Sequence, residues 1–124
     1  MKTIEKSVLI WFSAREMFDL IVDVPTYPQF LPWCDKAEIL TQTDSGMTAR
    51  IGMAFSGLHK SFTTQNTHID GRQVQLELID GPFKHLSGVW DFIPLGEEQA
   101  CRVELKLSYS FDSVFGALVG PVFD

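Results

Sequence analysis

Apolar and polar residues alternate with a period of two through most of the second half of the chain. Cys101, Val103, Leu105, Leu107, Tyr109 and Phe111 interleave with Arg102, Glu104, Lys106, Ser108 and Ser110, which predicts a strand with one apolar and one solvated face. Residues 85–95 repeat the pattern, with Leu86, Gly88, Trp90 and Phe92 on one parity and Ser87 and Asp91 on the other. Within residues 73–80, Val74, Leu76 and Leu78 share a parity. Residues 35–43, 47–55 and 58–69 predict three earlier strands. Asp44-Ser45-Gly46, Ser56-Gly57 and Asp70-Gly71 mark the turns, each with a glycine available for positive φ. Gly81-Pro82 breaks the ladder before the last two strands. Residues 3–11 add a half-buried first strand, with Ile4, Val8 and Ile10 opposite Glu5 and Ser7.

Between the first strand and the rest the period changes. Ser13 and Glu16 form a capping box, and Phe12 can staple onto Met17. A helix is predicted from Ala14, with Ala14, Met17, Phe18 and Ile21 on one face and Pro25 ending it. The next segment, YPQFLPWC, holds two prolines, three aromatics and a cysteine in eight residues. Pro28 and Pro32 each lack a donor and push Tyr27 and Leu31 towards extended geometry, so a compact bend is expected. Tyr27, Phe30, Leu31 and Trp33 on such a bend need dry surroundings, since a large aromatic buries about 150–250 Å². The bend therefore reads as a plug over the core and as a pocket rim.

After Asp112, the segment VFGALVGPVF predicts a capped, strongly apolar helix. The order is strand, helix, bend, six antiparallel strands and helix. That predicts an α+β fold in which a curved seven-stranded antiparallel sheet grips a C-terminal helix, as one domain over residues 1–124. Crossing seven strands needs about 30 Å, whereas residues 113–124 supply about 18 Å of helix. The grip is thus expected to be truncated, stopping mid-element at Asp124.

Composition narrows the function. No apolar run reaches the roughly 18 residues needed to span a bilayer, and the N-terminus lacks the apolar core of a signal peptide, so a soluble cytoplasmic protein is expected. Cys34 and Cys101 have neither metal-ligand nor redox spacing and read as buried thiols. A net charge of −6 and a pI near 4.9 argue against DNA as a partner. His59, His68 and His85 lack the spacings by which one element presents two metal ligands, so no metal site is expected. Neither a phosphate loop nor a nucleophile elbow occurs, which leaves binding as the expected function rather than catalysis.

The candidate lining comes from the inward parities. On the strands these are Met53, Phe55, Phe62, Leu76, Leu78, Trp90, Phe92, Leu105, Leu107 and Tyr109. The helices add Phe18 and Phe123, and the bend adds Tyr27, Phe30 and Trp33. Composition alone favours a packed core over a pocket, since aromatics usually fill space.

In YPQFLPWC, GPFKHLSGVWDF and VFGALVGPVFD, the chain resembles the coenzyme Q-binding START-like family, whose bacterial members include a ribosome-association toxin. The resemblance covers Ile4 to Asp124. It implies a helix-grip fold with an apolar tunnel for a polyprenylated quinone or other lipid, held as a ligand without any cofactor, in support of respiration. Such a ligand would gain up to about 3–4 kcal/mol gross per five-carbon unit, at about 0.8 kcal/mol per buried CH₂. Thr64, Asn66 and Lys84 are the candidates to meet the quinone carbonyls. The lipid role also implies transient membrane contact. A second role implied by the resemblance is binding to the large ribosomal subunit and blocking subunit joining. A third is a cyclase or dehydratase on the same fold, which needs polar groups deep in the cavity.

Overall fold

The computed structural model describes residues 2–55, 57–97 and 99–111. All seven predicted strands form: β1 (Lys2–Ile10), β2 (Cys34–Thr43), β3 (Gly46–Phe55), β4 (Leu58–Ile69), β5 (Gln73–Asp80), β6 (Phe83–Leu95) and β7 (Ala100–Phe111). They make one antiparallel sheet in the order β1-β7-β6-β5-β4-β3-β2. Sequence neighbours pair as hairpins from β2 to β7, and β1 closes onto β7 with Ile4 opposite Leu107 and Ile10 opposite Cys101. The predicted C-terminal helix and its shortfall in length fall on residues 112–124, outside the described residues.

Helix α1 (Ala14–Val22) starts on the expected capping box. The Ser13 hydroxyl accepts from the Glu16 amide at 3.0 Å, and the Ser13 amide donates to Glu16 Oε1 at 3.0 Å. Its apolar stripe packs on β5, β6 and β7. Outside the helix, the Arg15 guanidinium grips Asp70 in the β4–β5 turn through two bonds of 2.9 and 2.7 Å, which fixes the start of α1 to the sheet. Phe12, the expected staple, is half exposed.

The bend is more helical than its prolines predict. Val24–Gln29 form a 3₁₀ helix with Pro28 inside it, so Tyr27 is helical rather than extended. Bonds from Thr26 to Asp23 and from Phe30 to Tyr27 straddle the two proline nitrogens, which have no hydrogen to donate. Two bonds dock the segment: Cys34 N–H donates to Leu31, and Ala54 N–H on β3 donates to Trp33 at 2.8 Å.

Gly57 and Gly71 take positive φ, 84° and 70°, as their turns require. Gly46 does not. It opens β3 opposite Thr67, where an added Cβ would lie 2.1 Å from the Asn66 carbonyl oxygen; close strand approach, not turn geometry, requires glycine there. Val8 also departs from expectation: Ile4 and Ile10 are half-buried, but Val8 on the edge strand is exposed.

Three clusters form the core. Ala14, Phe18, Val74, Phe92, Cys101 and Val103 pack beneath α1. Met53, Phe83, Leu86 and Tyr109 make a second, and Val24, Cys34, Met47, Ala49 and Ile51 a third beneath the bend. Cys34 and Cys101 are buried free thiols in different clusters; burial pushes both up from the ordinary thiol range.

Candidate functional site

Between these clusters the concave face of the sheet leaves a cavity of about 270 Å³, near the lower end of the roughly 300–1,000 Å³ usual for ligand pockets. The bend supplies one wall through Tyr27, Phe30, Leu31 and Trp33, with Ile21 and Val24 beside them. Opposite stand Phe62, Thr64 and Asn66 of β4, Leu76 of β5, Trp90 of β6, and Leu105 and Leu107 of β7. All of these inner positions except buried Thr64 are only half-buried, although Val103 and Tyr109, the neighbours of Leu105 and Leu107 along β7, are fully buried. The strand period aims all of them inward, and the cavity is where no described side chain completes the packing.

Ten expected site residues therefore come together: Tyr27, Phe30, Trp33, Phe62, Thr64, Asn66, Leu76, Trp90, Leu105 and Leu107. Others point inward but belong to the core. Phe18 and Phe92 meet edge to face at 5.8 Å beneath α1. Met53 and Tyr109, 0% and 1% exposed, anchor the second cluster, and Leu78 packs against it. Lys84 is exposed and borders a separate shallow groove with Glu77 and His85. The reason is alternation: Phe83 takes the inward position, so its neighbour Lys84 must face out. The Phe55 side chain and Phe123 lie outside what the structure describes.

Ile21, Val24, Leu31, Ala49, Ile51, Phe83 and Leu86 also line the cavity and were not among the expected site residues. Ala49 and Ile51 share the parity of Met53, and Leu86 that of Trp90, so strand period carried a signal for these three.

The polar chemistry of the wall is sparse. No charged side chain occurs among the described lining residues. The Tyr27 hydroxyl donates to the Ile21 carbonyl, tying the bend to α1, and burial pushes its pKa up to about 12, so it stays protonated. Thr64, 5% exposed, donates its hydroxyl to Asn66 Oδ1 at 2.8 Å. His68 sits two positions further along β4, its ring edge to face with Phe18 at 5.7 Å. Its Nε2 is buried without a hydrogen-bond partner, and burial lowers its pKa from the usual histidine range. No described helix is long and apolar enough to cross a membrane.

Comparison with known proteins gives a consistent picture. Residues 10–124 match the family model described as polyketide cyclase/dehydrase and lipid transport. The ribosome association toxin RatA of Vibrio cholerae is 44% identical, an alignment covering 100% of this chain and 86% of the toxin. The mitochondrial coenzyme Q-binding protein COQ10 homolog B of Xenopus laevis is 28% identical over 95% of this chain and 50% of its own. Among solved structures, the Zhui aromatase/cyclase of a Streptomyces species superposes with a TM-score of 0.79 at 20% identity, covering 93% of this chain and 72% of the cyclase. That last likeness concerns the fold.

Proposed function

The chain belongs to the polyketide cyclase/dehydrase and lipid transport family, and from that premise we propose that it is a ribosome-associating protein of the toxin type, acting in the cytoplasm without catalysis. The observation that carries this reading is 44% identity to a ribosome association toxin across the full length of the chain. It supports the ribosome-associating role, which the resemblance ranked second, more strongly than quinone carriage. Its target under this reading is the large ribosomal subunit, where occupancy opposes subunit joining.

With a net charge of −6, few phosphate contacts can contribute, so binding should depend weakly on salt. Sedimentation of ribosomes with added protein is the test. The expected result is protein in the large-subunit fraction and fewer joined ribosomes, changing little between low and moderate salt. Protein remaining at the top of the gradient at all salt concentrations contradicts the proposal.

A second reading is favoured by the cavity itself: the concave face binds a small apolar ligand, in keeping with the family's description and with the coenzyme Q-binding relative. Left empty, a cavity of 270 Å³ forfeits on the order of 6 kcal/mol at about 24 cal/mol per Å³. An apolar occupant recovers part of that. Catalysis fits the wall less well, because Tyr27 keeps its proton and no charged group among the described lining residues stands ready as acid or base.

A further inference from the structure

We infer that the cavity selects a neutral amphiphile, and that Asn66 holds a hydrogen-bond acceptor on its polar end, in a position fixed by Thr64; this rests on the ligand-binding reading above. Thr64 and Asn66 are successive inward positions on β4, in a wall otherwise made of aliphatic and aromatic side chains. A polar pair in such a wall is unfavourable unless its hydrogen-bonding groups are satisfied. Half of the requirement is met internally: the Thr64 hydroxyl donates to Asn66 Oδ1 at 2.8 Å.

That bond orients the Asn66 amide. With its oxygen occupied, the amide is left with two N–H donors, and neither has a partner among the described residues. Asn66 itself lines the cavity. A carbonyl or ether oxygen placed there would complete the pair, while the apolar remainder of the ligand lies against Leu76, Trp90 and Leu107.

The missing charge is equally selective. A carboxylate or phosphate head would be stripped of water with no cation among the described lining residues to receive it, and burying an unpaired charge is far less favourable than burying a paired polar group. Fatty acid anions and phospholipid heads are therefore excluded, and neutral carbonyl compounds such as quinones or esters are admitted. Lys84, the cation nearest in sequence to the β6 wall, faces outward.

The test compares four probes on the wild type and on Asn66→Leu by titration calorimetry: a quinone carrying two isoprenoid units, the matching hydrocarbon tail, decanoic acid and its methyl ester. One amide hydrogen bond should give about a three- to tenfold preference for the quinone over the hydrocarbon. In Asn66→Leu that preference should vanish while the hydrocarbon binds at least as tightly, which also shows that the variant is folded. The ester should bind at least tenfold more tightly than the acid. Thr64→Val should lose part of the quinone preference.

An unchanged quinone preference in Asn66→Leu, or equal binding of acid and ester, overturns the inference and leaves ligand binding standing. If none of the four probes binds the wild type, the ligand-binding reading itself fails.

Discussion

The two ends of the concave face are built from the same residue classes on the same strands, yet among the described residues one is packed and the other is hollow. Beneath α1, Phe18, Val74, Phe92 and Val103 are all buried, and the rings of Phe18, Phe92 and Trp90 interlock. Around the cavity, across from the bend, Leu76, Trp90, Leu105 and Leu107 point the same way and remain half-buried. The difference lies in what covers them. An amphipathic helix lays a continuous apolar stripe on β5, β6 and β7, whereas the bend packs its short 3₁₀ helix on β2 and meets the cavity with aromatics that form a rim. Phe30 on that rim is 47% exposed. Strand alternation sets which side chains face inward, and the covering element decides whether they become core or site.

If that contrast is right, equivalent truncations at the two ends should differ. Phe18→Ala removes a ring that is 4% exposed and should destabilise by about 3–5 kcal/mol in urea titration. Leu107→Ala, at the hollow end, should lose only about 1–2 kcal/mol, because its side chain is already half in open space. Equal losses at the two positions would erase the distinction between core and site.

A smaller effect should appear with pH, from the boundary between the two regions. The His68 pKa is lower in the folded state because burial disfavours the charged ring, so the unfolded chain binds the proton more readily. This contribution to stability is fully present above the unfolded pKa of about 6.5 and is lost as pH falls from there towards the depressed folded value. Melting midpoints should therefore drop on acidification. His68→Phe, which keeps the ring contact with Phe18 and removes the unpartnered nitrogen, should fall less over the same range. Parallel pH profiles for the two proteins would remove His68 from the account. Smallest of all, Trp11→Ala should change stability by no more than about 0.5 kcal/mol, since Trp11 is 86% exposed and belongs to neither region.

The sheet was legible because each strand carries its own alternation and each hairpin its own turn residues. Capping of α1 was legible for a similar reason: Ser13 and Glu16 act on each other over three residues. Signals failed where a local rule met a neighbour. Pro28 predicts an extended Tyr27, but hydrogen bonds placed around the prolines hold a 3₁₀ turn. Lys84 reads as a candidate because it lies at the break after Gly81-Pro82; β6 instead starts at Phe83, with a shift of register between Phe83 and His85, and Lys84 is exposed. Gly46 reads as a turn residue, whereas the close Asn66 carbonyl explains it. Least legible was the boundary of the site. Phe92 and Trp90 share a parity and stack on each other, yet only Trp90 reaches the cavity, because distance from α1 is a property of the assembled sheet and not of either strand.

The most direct test of a hollow, ligand-receiving end is a melting series with a short-tailed polyprenylated quinone, on the wild type and on Leu107→Trp, which pushes an indole into the space. The account predicts that the wild-type midpoint climbs with free ligand as RT ln(1 + [L]/Kd), about 2.7 kcal/mol at a hundredfold excess over Kd. The filled variant should start at least as stable and respond little. A wild type that ignores the ligand, or a Leu107→Trp protein stabilised to the same extent, would contradict it.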